Sequence, residues 1–137
     1  MTPEEPNYKS LPLILWRTQL LCAPLSPSHT AHMIQETLTE LTKIHGWYQL
    51  PNTVILREVR NAESFPHREE YGFIVKIEPK YSNDIETAVF VQPYFSEDML
   101  KSAKSISYLV ATYLYQAEKM ISSFRQGFRE VTGLEFH

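Results

Sequence analysis

Residues 96–131 have the sequence SEDMLKSAKSISYLVATYLYQAEKMISSFRQGFREV. Apolar side chains recur along this segment at alternating steps of three and four residues, the spacing that places them on one face of an α-helix. They are Met99, Ala103, Ile106, Val110, Tyr113, Ala117, Met120, Phe124 and Phe128. The pattern predicts one long amphipathic helix, which at a rise of about 1.5 Å per residue would extend roughly 50 Å if unbroken.

Both ends of this helix carry local signals. Ser96 can accept a hydrogen bond from the first free N–H groups, and Glu97 and Asp98 place negative charge at the positive end of the helix dipole. Thr132 and Gly133 predict the stop, because glycine readily takes the left-handed conformation that ends many helices.

The middle of the helix has a second, unusual face. Residues 105–117 contain no charged side chain, and Tyr108 and Tyr115 lie off the main apolar stripe, one heptad apart. Another element, such as the first helix, would cover this face in one interpretation. In the other it is a subunit or partner interface, where tyrosine is common because its ring is buried while its hydroxyl stays hydrogen-bonded. The predicted contact surface comprises Tyr108, Thr112, Tyr115 and Lys119.

The composition is that of a globular protein. The chain has 137 residues, 43% of them hydrophobic and 21% charged, and a formal net charge of −3. We expect a flexible tail at residues 1–10 and a single domain over residues 11–137. The small, evenly spread charge disfavours binding to nucleic acid through a cationic surface. The uncharged run is shorter than the roughly 20 residues of a membrane span.

Cysteine usage and the N-terminal residues predict a cytoplasmic protein. Cys22 is the only cysteine, which excludes an intramolecular disulfide and a zinc site with several cysteines. Residues 1–10 are polar and acidic and lack the basic and apolar regions of a signal peptide.

The rest of the chain predicts one helix and four strands. A strand is expected at about residues 13–21 and an amphipathic helix at 27–45, with Ser26 as N-cap and Gly46 as the stop. Period-two alternation then predicts strands at 53–60, 71–78 and 87–94. The element order β-α-β-β-β-α predicts an α+β fold: a two-layer sandwich with a four-stranded, mostly antiparallel sheet and both helices on one face.

Little in the sequence indicates chemistry. His29 and His32 are three residues apart, but with Cys22 they supply too few ligands for a convincing zinc site, so no metal or cofactor is predicted. Phosphate loops, hydrolase elbows and calcium loops are absent from the sequence. The polar loop at 65–70 contains His67 and Arg68, which we assign to a partner-binding role alongside the helix face. His137 is expected to be loose.

These observations favour a non-enzymatic protein–protein interaction module, such as an adaptor, a chaperone-like protein or an assembly factor. It would hold another protein, or a second copy in a homodimer, on the long helix and at a sheet edge or surface. The alternative is a ligand-binding or enzymatic domain with an apolar pocket lined by Trp16, Tyr71, Phe73 and Phe90. A third possibility is nucleic-acid binding, because the order of elements from residue 27 onward resembles that of double-stranded RNA-binding domains.

Overall fold

The computed structural model describes residues 18–51, 53–58, 70–79, 85–102 and 106–137. The predicted tail at 1–10, residues 13–17 of the first predicted strand, Trp16, His67 and Arg68 lie outside these ranges. The strands are β1 (Gln19–Ala23), β2 (Tyr48–Leu50), β3 (Val54–Glu58), β4 (Glu70–Pro79) and β5 (Thr87–Phe95). The helices are α1 (Pro27–His45), α2 (Glu97–Ser102), α3 (Ile106–Leu109), a π-helical turn (Val110–Leu114) and α4 (Tyr115–Thr132).

The strands form one antiparallel sheet in the order β1-β5-β4-β3-β2. β4 and β5 form its long centre, with Val75 opposite Val91, and β1 lies at one edge beside β5. The α+β class, the antiparallel sheet and the C-terminal helical region are therefore confirmed. The predicted strand count was wrong, since the described sheet has five strands rather than four.

The additional strand is β2, which forms a tight hairpin with β3. Tyr48 pairs with Leu56 and Leu50 with Val54. A strand of three residues is too short to show period-two alternation, so the sequence could not distinguish it from a connection. In the turn, Thr53 has a φ of 57°, and its hydroxyl donates a hydrogen bond to the carbonyl of Val75. The amide of Val75 donates in return to the Thr53 carbonyl at 3.1 Å.

Helix α1 begins and ends where its local signals predict. The Ser26 hydroxyl accepts a hydrogen bond from the His29 amide at 3.3 Å, and Pro27 occupies the first turn. Gly46 takes the left-handed conformation with a φ of 71°, and its amide donates to the Thr42 carbonyl. These signals operate within a few residues, so tertiary structure had little opportunity to override them.

The core lies between one face of the sheet and helices α1 and α4. Ring centroids of Phe73 in β4 and Phe124 in α4 are 5.6 Å apart. The two helices meet at Gly127, where a Cβ atom would lie 3.1 Å from the Leu41 side chain, so the missing side chain permits the close approach. The core residues contributed by the strands are Leu21, Ala23, Ile55, Tyr71, Phe73, Val75, Val89, Val91 and Phe95.

The C-terminal helical region is segmented rather than uniformly α-helical. Ser96 caps α2 as predicted, with its hydroxyl accepting from the Met99 amide at 3.1 Å, and Gly133 ends α4 with a φ of 73°. Between α3 and α4, however, Val110–Leu114 is π-helical. The sequence predicted a long helix and left its continuity open, and this π-helical turn interrupts the α-helical geometry. No helix in the described ranges is both long enough and apolar enough to cross a membrane.

Candidate interaction surfaces

The predicted contact residues on the C-terminal helices form a surface that we call the tyrosine face: Tyr108, Thr112, Tyr115 and Lys119. Tyr108 is 43% exposed and Tyr115 is 61% exposed, and Lys119 is also exposed. Thr112 is half-buried. Large side chains of this kind are open to solvent, so within the described residues the face is not covered by another element.

The π-helical turn changes how these residues are arranged. A π turn contains one residue more than an α turn, which rotates all following side chains by about 100° around the helix axis. Tyr115 is therefore not in the heptad position relative to Tyr108 that a continuous α-helix would give. The wide turn also places Tyr113 with its ring centroid 5.4 Å from that of Tyr71 and 5.9 Å from that of Tyr108. Tyr113 thus connects the exposed Tyr108 to the core.

Lys119 and Tyr115 contact each other directly. The Lys119 ammonium lies 4.7 Å from the centre of the Tyr115 ring, which is a cation–π geometry. The structure thus brings together Tyr115 with Lys119, and Tyr108 with Tyr113. It gives no information on His67 and Arg68, which lie outside the described residues and remain a prediction.

The aromatic residues of the alternative pocket do not share one layer. Tyr71 and Phe73 are buried in the core between sheet and helices. Phe90 alternates with the buried Val89 and Val91 along β5, so it belongs to the opposite face of the sheet. The grouping of these aromatics in one layer was wrong for Phe90.

Two open grooves lie on the surface, away from the interface between sheet and helices. One has a volume of about 420 Å³ and is lined by Arg125, Gln126, Arg129, Glu135 and Phe136. The other has a volume of about 400 Å³ and is lined by His32, Gln35, Glu36, Thr39, Glu40 and Val131. In the second groove the His32 Nε2 atom lies 3.2 Å from Glu36. No group of three potential metal ligands occurs within the described ranges.

A buried acidic group at the start of β4 was missed by the sequence reasoning. Glu70 is only 8% exposed, and among the described residues its Oε2 atom has no hydrogen-bond partner. Burial raises the pKa of the Glu70 carboxyl above its usual range, and the nearby Asp98 carboxylate raises it further. Burial likewise raises the pKa of the Tyr94 hydroxyl, with added contributions from Glu70 and Glu97. The sequence placed Glu70 in a solvated loop, and only the tertiary structure shows its enclosure.

The C-terminal tail was also missed. His137 exchanges two main-chain hydrogen bonds with Cys22 in β1, with N–O distances of 3.1 and 2.9 Å. Phe136 stacks on Phe128 with ring centroids 4.0 Å apart. The expectation that His137 is loose was wrong, because the aromatic contacts of its neighbour hold the tail against α4 and the sheet edge. The pair of aromatics at 128 and 136 is the only sequence signal that could have indicated this.

The chain was compared with known proteins in three ways. No protein-family model matches it, and neither a curated protein nor a solved structure matches it. Function is therefore argued from the geometry of this molecule.

Proposed function

We propose that this protein is a non-enzymatic protein–protein interaction module that forms a homodimer through the tyrosine face. The observation that carries the proposal is the exposure of Tyr108 and Tyr115, at 43% and 61%, in a segment without charge from residue 105 to 117. Tyrosine is enriched in protein interfaces, and charged residues are depleted at their centres. The exposed rings are thus available for contact.

A second copy of the chain suits this surface better than a charged partner does. In a two-fold contact the same patch occurs on both sides, so the surface must be complementary to itself. Charged patches would bring like charges together, but the only charge of the tyrosine face is that of Lys119, at its end. The Lys119 ammonium already lies over the Tyr115 ring of its own chain.

The proposed setting is the cytoplasm, where a protein with a single cysteine and no disulfide is at no disadvantage. Within the proposal, such a dimer would act as an adaptor, a chaperone-like protein or an assembly factor. No observation favours the alternative of an enclosed ligand pocket, since Tyr71 and Phe73 pack within the core and Phe90 faces the other way.

Light scattering on a sizing column, over a wide range of protein concentration, tests the proposal. We expect the wild-type chain to have the mass of a dimer, and Tyr108→Glu combined with Tyr115→Glu to have the mass of a monomer. The new carboxylates would face each other across the two-fold contact. Because both tyrosines are exposed, the variant should keep its circular-dichroism spectrum and melting temperature.

Thr39→Glu is the matched control, because Thr39 is exposed on α1, a different helix from those that carry the tyrosine face. It introduces the same carboxylate at an exposed helical site and should leave the dimer intact. A wild-type chain that stays monomeric throughout, or a double variant that stays dimeric, would show that the tyrosine face does not join two copies.

A further inference from the structure

Strand β1 is one of the two edge strands of the sheet, and within the described residues β5 is its only strand neighbour. Cys22 directs its amide and carbonyl to the outer side, where both bond to His137. Main-chain groups alternate in direction along a strand, so Leu20, two residues earlier, directs its own amide and carbonyl to the same outer side. In the described part of the chain, no residue bonds to Leu20 there, and its side chain is 64% exposed.

The C-terminal tail shows what kind of segment this edge accepts. After α4 ends, residues 134–137 return to β1, and His137 makes a strand-like pair with Cys22. On the same short segment, the Glu135 carboxylate lies 3.1 Å from the Arg129 guanidinium in α4. An extended, acidic stretch of chain is therefore held with its main chain on β1 and its carboxylate on an arginine of α4.

A second arginine of α4 lies beside β1. Arg125 precedes Arg129 by one helical turn, about 6 Å along the axis. The Arg125 guanidinium lies 3.5 Å from the Gln19 side-chain oxygen, which places it beside the strand next to Leu20.

Arg125 differs from Arg129 in its electrostatic surroundings. Arg129 is paired with Glu135, whereas the contact of Arg125 is with a neutral amide. No ion pair of Arg125 occurs among the described residues. Arg125 also lines the groove of about 420 Å³ that lies beside the tail. An acidic side chain would find space and an opposite charge here.

We propose that β1 accepts an extended acidic segment of a partner protein as a sixth strand. Its main chain bonds to the amide and carbonyl of Leu20, and one carboxylate forms an ion pair with Arg125. Main-chain pairing of this type supplies affinity, while the side-chain contact supplies selectivity for acidic sequences. This surface is separate from the tyrosine face. The strand-addition proposal therefore does not depend on the proposed dimer.

The test uses the full chain and a fluorescein-labelled peptide of sequence VEVEVE, followed by fluorescence anisotropy. We expect saturable binding, and a dissociation constant at least about tenfold weaker for Arg125→Glu. The peptide VKVKVK should bind at least about tenfold more weakly than VEVEVE, because its charge repels Arg125. Arg57→Glu is the matched control: it makes the same charge change at an exposed site on β3, across the sheet, and should bind as the wild type does.

Hydrogen exchange measured by NMR gives a second readout that charge alone would not change. On addition of VEVEVE, the exchange of the Leu20 amide should slow by about tenfold or more, because it becomes part of a strand ladder. The absence of saturable binding, equal binding by Arg125→Glu, or an unchanged Leu20 amide would each overturn the proposal. So would a dimer that Leu20→Pro converts to a monomer, since a second copy would then occupy the edge.

Discussion

Glu70 is a carboxylate placed where water is largely excluded. Its amide donates to the Ser96 hydroxyl at 3.0 Å, and its carbonyl accepts from the Ser96 amide at 2.9 Å. These two bonds fix the main chain of Glu70 at the junction of β4 with the start of α2. The buried position and the nearby Asp98 charge both favour the protonated carboxyl in the folded state.

Glu70→Gln should therefore make the protein more stable near neutral pH. Because the pKa of Glu70 is raised in the folded state, the folded protein binds the proton more tightly than the unfolded chain does. Binding of this proton adds to the free energy of unfolding. The contribution is fully present below the ordinary carboxyl pKa, and it is lost as the pH rises through the raised pKa of the folded state. Glutamine does not ionise and removes this dependence.

Urea unfolding at a series of pH values measures the effect. The difference in unfolding free energy between Glu70→Gln and wild type should be largest at neutral pH and smaller below about pH 4. Glu40→Gln, at an exposed position on α1, is the control and should follow the wild-type curve. Identical pH profiles for Glu70→Gln and wild type would refute the assignment.

Gly72 in β4 should tolerate no side chain. An ideal Cβ at this position would lie 1.8 Å from the carbonyl oxygen of Ile55 in β3, and a main-chain atom cannot easily move aside. Gly72→Ala should lower the free energy of unfolding by about 3 kcal/mol or more, because the overpacking is against a main-chain atom. Gly133→Ala is the comparison: it has open space but a φ of 73°, so we expect a loss of only about 1–2 kcal/mol. Equal losses in urea unfolding would contradict the steric explanation.

Among the elements, the C-terminal helices show how far periodicity can predict packing. The three-and-four spacing identified the apolar residues that lie in the core, such as Met120, Phe124 and Phe128. It could not show the π-helical turn at Val110–Leu114, where the ring of Tyr113 packs against that of Tyr71, because the spacing of apolar residues carries no signal for such a turn. The angular position of the tyrosine face was therefore not predictable from the spacing alone.

The crossing of α1 and α4 at Gly127 gives a prediction at this scale. Gly127→Val would bring its branched side chain against Leu41 and should destabilise the protein by about 1–3 kcal/mol. Adding Leu41→Ala provides space for the valine, so the double variant should lose less stability than the sum of the two single changes. Thermal or urea unfolding of the wild type, the two single variants and the double variant gives the free energies of this double-mutant cycle. Strict additivity would mean that the two side chains do not compete for this space.

In the whole molecule, the tail joins the helix layer to the edge of the sheet. Phe136 packs on Phe124 and Phe128 of α4, while His137 bonds to Cys22 of β1. The C-terminal residue His137 is therefore held beside β1, the first described strand. This closes part of an edge that would otherwise be open to pairing with other chains.

Phe136→Ala should remove this connection. The ring is half-buried and takes part in two aromatic contacts, so we expect a loss of about 1.5–3 kcal/mol, less than for a fully buried phenylalanine. The Cys22 amide should also exchange faster with solvent, which NMR can measure. Val131→Ala, at a nearby residue that is 39% exposed, is the control and should change stability by less than about 0.5 kcal/mol. A Cys22 amide that stays protected would show that the tail does not need its aromatic anchor.

For the whole molecule, the sequence predicted the two layers, but it did not predict the short strand β2 or the path of the C-terminal tail. Alternation in β4 placed Tyr71, Phe73 and Val75 on the core face, and capping residues placed both ends of α1. Such signals are local, and they suffice for the two-layer arrangement. The three-residue β2 and the return of the tail to β1 depend on contacts between residues distant in sequence, which no local pattern contains.

The candidate surfaces were predictable only in part. The lack of charge in residues 105–117 indicated the tyrosine face, but two interpretations stayed open until exposure could be measured. The relation between Leu20 and Arg125 involves two residues 105 positions apart, joined through the neighbouring Gln19. The contact of Arg125 with β1 depends on how α4 packs over the sheet, which no local pattern contains.

Thr53 couples the shape of one turn to the order in which the sheet assembles. A threonine held at a φ of 57° costs about 1–3 kcal/mol, and two hydrogen bonds with Val75 in β4 help to offset this cost. The native form of the β2–β3 hairpin is therefore more stable when β4 lies beside β3. We therefore expect β3 to pair with β4 before β2 pairs with β3 during folding. Among these three strands, the amides of β2 should then exchange fastest with solvent.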